Sequence, residues 1–137
     1  MQIQDIMSRR VVSVEQNASV REAAELMQIY NIGALPVVEK GDVRGMLTDR
    51  DIVTRCVNRG ENPNTTHVKE IMTPNATMVR DTAPLSDAVR MMACEQIRRL
   101  PVVHGTELVG FLSFADIARL KSDVEVAEAI SEISMPQ

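Results

Sequence analysis

The apolar positions of the chain follow two periods, one typical of strands and one typical of helices. Residues 11–14, 35–38 and 43–47 are short runs rich in valine and leucine, which predict strands. A charged turn containing glycine, Glu39-Lys40-Gly41-Asp42, separates the second run from the third. This order predicts a β-hairpin over residues 35–47.

Helical spacing lies between the first two strand-like runs. Ser19 and Glu22 form a capping-box pattern, which predicts a helix beginning at Val20. The apolar face of this predicted helix consists of Val20, Ala23, Ala24, Met27 and Tyr30. A further helix is predicted from Thr48 onward, where the third strand-like run ends.

The whole pattern occurs twice, 65 residues apart. Residues 3–55 align with residues 68–120 without a gap, and 15 of the 53 aligned pairs are identical. In the second copy, strands are predicted at 77–79, 100–103 and 108–112, and the two helices follow Pro84 and Ser113. A long period that occurs only twice predicts a pseudo-symmetric pair rather than a solenoid.

The predicted fold class is therefore α+β, with strand-helix-strand-strand-helix in each copy. Turn-forming residues from Asn58 to Thr66 link the copies, so we expect repeat 1 over residues 1–62 and repeat 2 over residues 63–122. Residues 123–137 are expected to form a short helix and a frayed tail. The predicted cap of this helix is Ser122-Asp123-Val124-Glu125, followed at helical spacing by Val124, Ala127 and Ile130.

Composition and charge exclude several classes of protein. The chain is 45% hydrophobic but only 2% aromatic, so methionine and aliphatic residues must fill the core. A formal net charge of −4 argues against a nucleic-acid role, because nonspecific nucleic-acid binding requires basic surface. We expect a cytoplasmic protein, because the N-terminus lacks signal-peptide features and no apolar run approaches the roughly 20 residues that span a bilayer.

Catalytic and metal-binding patterns are missing from the sequence. No nucleophile–base set, phosphate-binding glycine loop or catalytic carboxylate pair stands out, so we do not expect an enzyme. His67 and His104 lack metal-ligand spacing and are expected at the surface, so no metal site is predicted. Of the two cysteines, Cys94 is expected to be buried, because it follows Met91 and Met92 on an apolar-rich helix.

The most informative motif is Gly45-Met46-Leu47-Thr48-Asp49-Arg50-Asp51-Ile52, which recurs as Gly110-Phe111-Leu112-Ser113-Phe114-Ala115-Asp116-Ile117. A hydroxyl and an aspartate stand three residues apart, where a strand ends and a helix begins. This spacing is typical of a capping box. The same position also suits a nucleotide, because helix amides face any bound anion and a carboxylate can accept the ribose hydroxyls. The residues alone leave both interpretations open.

A basic pair, Arg98-Arg99, stands just before Leu100-Pro101, where the first copy has Gly33-Ala34. One interpretation is a solvated pair at a strand edge. The other is a phosphate contact, since a guanidinium group suits bidentate binding of phosphate.

Three segments, in the same order in both copies, resemble a tandem pair of CBS domains, also called a Bateman module. They are Asp5-Ile6-Met7 near the start, Leu35-Pro36-Val37-Val38 in the middle and the glycine-to-isoleucine motif at the end, and the match covers residues 3–120. The stretches 32–36 and 45–53 further resemble stand-alone bacterial two-CBS proteins, including those of the hypoxic-response type.

The resemblance implies that the copies pack through their sheets about a pseudo-twofold axis and leave two clefts for ligands. Such clefts commonly hold AMP, ADP, ATP or S-adenosylmethionine as regulatory ligands, with no cofactor required. One implied site consists of Val12, Ile32, Gly33 and Ala34, completed by Ser113 and Asp116. The other consists of Thr77, Ile97, Arg98 and Arg99, completed by Thr48 and Asp51, with Arg50 as a further candidate.

The expected function is a sensor that binds an adenosine-containing ligand and signals by a conformational or oligomeric change. Its expected partners are a second copy of the chain and an unidentified downstream protein. Two alternatives remain: a nucleotide-independent protein–protein adaptor, and a redox or stress-response protein acting through Cys56 and Cys94. Apolar residues left over on the second helix of each copy suit a homodimer face: Ile52, Val53, Ile117 and Leu120.

Overall fold

The structure is a computed structural model that describes residues 1–120 and 130–133. A 3₁₀ turn at Ile3–Asp5 precedes the first strand. The strands and helices then follow in the order β1 (Val14–Glu15), α1 (Val20–Tyr30), β2 (Ala34–Glu39), β3 (Asp42–Thr48), α2 (Asp49–Ile52), α3 (Val68–Ile71), β4 (Thr73–Pro74), β5 (Val79–Arg80), α4 (Leu85–Glu95), β6 (Arg99–His104), β7 (Glu107–Ser113) and α5 (Phe114–Ala118).

These elements form two compact units. The first-copy unit is Val12–Ala76, and the second-copy unit combines Met1–Val11 with Thr77–Gln137. The boundaries of the packing units therefore differ from those of the sequence repeats. Residues 1–11, which open the first copy, belong to the second-copy unit, and residues 68–76, which open the second copy, belong to the first-copy unit.

The first-copy unit is built on the hairpin of β2 and β3. Its register runs from Ala34 opposite Thr48 to Glu39 opposite Asp42, which confirms the predicted hairpin. Lys40 and Gly41 form the two-residue turn with φ of 51° and 86°, the left-handed conformation that a type I′ turn requires.

Strand β1 lies parallel to β2, with Val14 opposite Val37. The predicted strand over residues 11–14 is therefore wrong in extent, because the pairing begins only at Val14 and continues to Glu15. The same shift occurs in the second copy, where β5 begins at Val79 rather than at residue 77.

Helix α1 begins at the predicted capping box. The Glu22 N–H donates to Ser19 Oγ and the Ser19 N–H donates to the Glu22 carboxylate, both at 3.1 Å. Val20, Ala23 and Met27 are buried, whereas Ala24 and Tyr30 are exposed. The buried face is thus narrower than predicted, since Ala24 lies at its edge and Tyr30 is the last residue before the helix ends.

The second-copy unit repeats this arrangement. Strands β6 and β7 pair from Arg99 opposite Ser113 to His104 opposite Glu107. Helix α4 follows Pro84, as predicted, and buries the predicted stripe of Leu85, Ala88, Val89 and Met92. Cys94 is exposed, so its predicted burial is wrong. It lies two residues beyond Met92, about 200° around a helix of 3.6 residues per turn.

The leading segment of each copy completes a hydrophobic core. Val68 and Ile71 belong to the buried cluster of the first-copy unit. Ile3 and Met7 belong to the buried cluster of the second-copy unit.

Each leading segment also runs past a glycine of a hairpin. Thr73 pairs with Met46 and, equivalently, Ser8 bridges to Phe111. A Cβ atom added to Gly45 would overlap the Thr73 carbonyl oxygen, and one added to Gly110 would overlap the Met7 sulfur. The close approach of the Thr73 backbone therefore requires glycine at position 45, whereas at position 110 a larger residue would meet chiefly the Met7 side chain.

The second helix of each copy is short. Helix α2 continues into a π-helical turn at Val53–Val57. Of the residues predicted to form a homodimer face, Val53 is exposed and Ile52 and Leu120 are half-buried, but Ile117 is fully buried. The prediction is wrong for Ile117, because its side chain lies in the core of the second-copy unit.

Residues 130–133 are helical and Ile133 is buried. The predicted cap at Ser122 and the predicted frayed tail lie outside the described residues. Among the helices that the structure describes, none combines the length and the apolar character needed to cross a membrane.

Candidate functional site

Thr48 and Asp51 form a reciprocal pair where β3 passes into α2. The Asp51 N–H donates to Thr48 Oγ1 at 3.1 Å, and the Thr48 N–H donates to Asp51 Oδ2 at 2.9 Å. Asp51 is buried, with only 9% of its surface exposed. The capping box predicted from the sequence is therefore present.

The second carboxylate oxygen of Asp51 faces an arginine. Arg55 Nη1 lies 3.8 Å from Asp51 Oδ1 and donates to the carbonyl oxygens of Ile71 and Met72 at 3.1 and 3.2 Å. Arg55 thus connects the aspartate to the C-terminal end of α3.

Gly33 and Ala34 lie directly beside this pair. Ala34 is opposite Thr48 in the hairpin, and the Asp49 N–H donates to the Gly33 carbonyl oxygen at 2.9 Å. A Cβ atom on Gly33 would lie 2.9 Å from Asp49 Oδ2, so the Asp49 carboxylate occupies the space beside Gly33. Arg50 is exposed on the same short helix.

The second copy reproduces the hydroxyl–aspartate geometry with Ser113 and Asp116. The Asp116 N–H donates to Ser113 Oγ at 3.1 Å and the Ser113 N–H donates to Asp116 Oδ2 at 2.9 Å. Arg119 Nη1 donates to Asp116 Oδ1 at 2.9 Å, and Arg119 is largely exposed. In both copies one carboxylate oxygen binds backbone and the other faces a guanidinium group.

Arg98 and Arg99 lie beside Ser113, as Gly33 and Ala34 lie beside Thr48. Arg99 is opposite Ser113 in the register, and the Phe114 N–H donates to the Arg98 carbonyl oxygen at 2.7 Å. The Arg98 guanidinium carbon lies 5.2 Å from the centroid of the Phe114 ring, within the range of a cation–π contact. Both arginines are exposed.

The remaining predicted residues precede β1, β5, β2 and β6. Val12 and Thr77 are half-buried at equivalent positions before β1 and β5. The Thr77 hydroxyl donates to the Glu95 carboxylate at 2.9 Å. Ile32 and Ile97, which precede β2 and β6, are half-buried and pack against the cores of their own units.

Each unit by itself therefore brings together the hydroxyl, the aspartate and the residues that precede its own central hairpin. The grouping of these segments across the two copies, which the resemblance implied, stays a prediction. The structure adds Arg55, Arg119 and Asp49 to the residues of interest. The sequence held a signal for the two arginines, because Asp51–Arg55 and Asp116–Arg119 have the i,i+4 and i,i+3 spacing of helical ion pairs.

The cysteines are in different environments. Cys56 is buried and its thiol faces the Glu61 carbonyl oxygen at 3.6 Å. Burial, with a smaller contribution from the Glu61 carboxylate, raises the pKa of the Cys56 thiol. A raised pKa disfavours the reactive thiolate at neutral pH.

Both histidines are exposed, which confirms the prediction. His104 Nδ1 lies 3.2 Å from the Asp81 carboxylate. Within residues 1–120 and 130–133, no group of three or more histidine, cysteine, aspartate or glutamate side chains is placed to hold a metal ion.

Comparison with known proteins assigns the family. The sequence profile of the CBS domain matches residues 3–58 and again residues 68–123. The chain belongs to the CBS-domain family. CBS domain-containing protein YhcV of Bacillus subtilis (strain 168) is 40% identical over 133 residues, which are 96% of this chain and 94% of YhcV.

A structural neighbour is a hypoxic response protein. The crystal structure of Hypoxic Response Protein I, with two coordinated zinc ions, is 36% identical with a TM-score of 0.81, covering 88% of this chain and 98% of its own. Hypoxic response protein 1 of Mycobacterium tuberculosis (strain CDC 1551 / Oshkosh) is 35% identical over 133 residues, which are 96% of this chain and 93% of that protein.

Other solved CBS pairs hold adenosine ligands. The CBS pair of protein MJ0100, in complex with 5′-methylthioadenosine and S-adenosyl-L-methionine, is 30% identical with a TM-score of 0.74, covering 88% of this chain and 94% of its own. CBSX2, in complex with AMP, is 28% identical with a TM-score of 0.74, covering 86% of this chain and 93% of its own.

Proposed function

We propose that this CBS pair is a regulatory module, not an enzyme, that binds an adenosine-containing ligand through Thr48 and Asp51 in one copy and Ser113 and Asp116 in the other. The observation that carries the proposal is the repeated hydroxyl–aspartate geometry, whose two hydrogen bonds measure 2.9 and 3.1 Å in both copies. Each aspartate is held by backbone through Oδ2, so its Oδ1 is oriented in advance of any ligand. A carboxylate held in this way can accept the hydroxyls of a ribose.

The chemistry of the neighbouring side chains supports the proposal. Arg98 and Arg99 are exposed beside Ser113, where they can bind a ligand phosphate. The half-buried Val12, Ile32 and Ala34, with Ile97 and Thr77 in the second copy, can line an adenine ring. The relatives with AMP or S-adenosylmethionine bound indicate the class of ligand.

A thermal-shift series with AMP, ADP, ATP, 5′-methylthioadenosine and S-adenosylmethionine tests this function. A ligand that binds only the folded state stabilises it by RT ln(1 + [L]/Kd), about 2.7 kcal/mol at a hundredfold excess over Kd. We expect a rise of several degrees in Tm with at least one of the five. No rise with any of them at millimolar concentration would contradict the proposal.

Two variants separate binding from capping. Asp51→Ala and Asp116→Ala should each remove part of the ligand-induced shift, while Glu25→Gln, an exposed acid on α1, should leave it unchanged. If both alanine variants lower the Tm of the free protein but keep the full ligand shift, the two aspartates serve only as caps.

A second copy of the chain is the proposed partner through which the ligand signal is expressed. The observation favouring it is a set of exposed apolar side chains on α1 and the π-helical turn: Ile29, Tyr30, Val53 and Val57.

Native mass spectrometry with and without ligand should show a dimer, and Val53→Glu should weaken it. A monomer at all micromolar concentrations would exclude this mode of signalling without affecting ligand binding. If the chain binds none of the ligands and a pull-down with it recovers a stable protein partner, the adaptor alternative is favoured instead.

The redox alternative is not supported by the environment of Cys56, whose burial and raised pKa make it a poor sensor.

A further inference from the structure

A groove of about 540 Å³ lies beside helix α1 in the first-copy unit. One wall is the segment that contains β1 and leads to the helix, and the other wall is α1 itself. The helix contributes Glu22, Glu25, Leu26 and Ile29, whose i, i+3, i+4 and i+7 spacing places them on one face. The residues that α1 buries in the core are others, so the helix presents a second face to this groove.

The floor of the groove is apolar. Ala18 and Leu26 are half-buried and pack against the core of the first-copy unit. Ile29, at the end of the same stripe, keeps 66% of its surface exposed. Neighbouring apolar side chains that remain open to water mark a surface that a partner can cover, because covering them removes apolar area from water.

Three glutamates surround this apolar floor. Glu15, Glu22 and Glu25 are exposed, and none of them forms an ion pair within the part of the chain that the structure describes. Glu22 accepts the Ser19 N–H as part of the helix cap. The described residues that line the groove include no lysine or arginine, so its charge is negative and attracts a cationic partner.

The second copy shows that the fold does not require two of these acids. In the 65-residue repeat, Glu15 corresponds to Arg80 and Glu25 corresponds to Arg90. Both arginines are exposed, on the equivalent elements β5 and α4. Because the same strand and the same helix form with either charge, the acids of the first copy are available for recognition of a partner.

We propose that this groove binds a basic amphipathic helix of another protein. Apolar side chains of that helix pack on Leu26 and Ile29, and its lysines or arginines pair with Glu15 and Glu25. A nucleic acid or an anionic membrane surface has the wrong charge for the groove. The inference concerns a protein partner and does not depend on a bound adenosine ligand, so it goes beyond the proposed function.

Fluorescence anisotropy with two labelled peptides tests the inference. The probe is a peptide of leucine and lysine, about 14 residues or four helical turns long, with its leucines at helical spacing. The control peptide has the same composition in an order that forms no apolar stripe. We expect the wild-type chain to bind the probe at micromolar concentration and the control peptide at least about tenfold more weakly. Equal binding of the two peptides, or no binding of the probe, would overturn the inference.

Reversal of two charges locates the site. Glu15→Arg combined with Glu25→Arg introduces the residues of the second copy, so the variant should fold, and it should bind the probe at least about tenfold more weakly. Glu61→Arg combined with Glu107→Arg is the matched control, because both residues are exposed outside the groove and the change in net charge is the same. An equal loss in the control variant would assign binding to net charge alone and overturn the inference.

A circular-dichroism melt shows whether each variant is folded. If the arginine variant is not, Glu15→Gln combined with Glu25→Gln replaces it, with an expected loss of about threefold. Ile29 stays unchanged throughout, because it also belongs to the apolar set proposed to meet a second copy of the chain.

NMR spectra of the amide groups map where the probe binds. The probe should shift the signals of Ala18 and Leu26, whereas the signals of their second-copy equivalents, Ala83 and Met91, should not shift. Shifts of equal size at both pairs would contradict a site formed by the first copy.

The remaining outcomes separate the possible occupants and the two proposals. If the probe dissociates a dimer of the chain and the arginine variant also prevents that dimer, the groove holds a second copy and the inference is wrong. If the probe binds as expected and no adenosine ligand raises the Tm, the inference stands and the proposed function is wrong. If a ligand raises the Tm and the probe does not bind, the inference is wrong and the proposed function stands.

Discussion

Asp51 and Asp116 show how a helix cap and a ligand contact can use the same carboxylate. In each, Oδ2 accepts a backbone N–H while Oδ1 faces an arginine side chain. An ionised carboxylate has about four lone-pair sites, so these contacts leave acceptor capacity for a ribose. The capping-box interpretation and the nucleotide-contact interpretation, both left open by the sequence, are thus compatible. A binding measurement is needed to show whether each aspartate also contacts a ligand.

Removing the threonine hydroxyl should measure the cap alone. Thr48→Ala leaves the Asp51 N–H without its acceptor, and loss of such a cap costs about 0.5–2 kcal/mol. Urea unfolding should show this loss of stability. Thr48→Ser should retain most of the wild-type stability, because serine has the same role at position 113.

Thr54→Ala is the matched control, since the Thr54 hydroxyl is exposed and donates only to the Arg50 carbonyl oxygen among the described contacts. It should cost less than Thr48→Ala. Equal losses from the two variants would show that the hydroxyl of Thr48 has no special capping role.

The two thiols should react at very different rates. In the native protein at pH 8, DTNB (5,5′-dithiobis(2-nitrobenzoic acid)) should modify the exposed Cys94 rapidly and the buried Cys56 slowly. Unfolding in urea should make both thiols reactive. If two thiols react rapidly in the folded wild-type chain and only one reacts rapidly in the folded Cys56→Ala variant, Cys56 is not buried.

The raised pKa of Cys56 also has a consequence for stability. The folded state retains the Cys56 thiol proton to higher pH than the unfolded state does. The contribution of this protonated thiol to stability is therefore complete below the ordinary thiol pKa and is lost as the pH rises through the pKa of the folded state. The free energy of unfolding should therefore fall at alkaline pH. Cys56→Ala should show a smaller fall over the same pH range, and an identical fall would assign it to other groups.

At the scale of elements, the hairpin, α1 and α4 were predictable because their signals are local. The charged turn, the serine cap and the apolar stripe each depend on residues close in sequence. The extent of β1 and β5 was not predictable, because a strand begins where its partner allows pairing. The burial of Ile117 was also missed, since its side chain packs against residues distant in sequence.

The glycines of β3 and β7 should differ in their tolerance of alanine. Gly45→Ala places a Cβ against the backbone oxygen of Thr73, which cannot move without shifting β4. Gly110→Ala meets chiefly the flexible side chain of Met7. We expect both to destabilise by about 1–3 kcal/mol in urea unfolding, with the larger loss at Gly45.

A double variant tests the cause of the loss at Gly110. Met7→Ala removes the atoms that the new Cβ meets, so the combined variant should be more stable than the sum of the two single effects predicts. Strict additivity would mean that steric overlap with Met7 is not the cause.

At the scale of the whole molecule, the exchange of leading segments decides what can fold alone. Val68 and Ile71 are buried in the first-copy unit although they lie at the start of the second repeat. A fragment cut at the repeat boundary therefore loses part of its core, and small domains have little stability to spare.

Two fragments of similar length test this. Residues 12–76 keep Val68 and Ile71, whereas residues 1–62 lack them, so the first should unfold cooperatively in urea and the second should not. Circular dichroism and the dispersion of amide signals in NMR spectra measure the difference. Equal folding of both fragments would show that α3 is dispensable to that core.

The sequence by itself determined the duplication, the strand-helix-strand-strand-helix order within each copy and the pairing of each hydroxyl with its aspartate, but not α3 and β4. These follow from spacing, which the covalent chain preserves. Only the tertiary structure decided that α3 completes the first-copy unit and that the segment around Ile3 completes the second-copy unit. It also decided that Asp49 lies beside Gly33 and that Arg98 lies over Phe114. Such contacts depend on which surfaces meet when apolar area is buried, and no local pattern in the sequence specifies that choice.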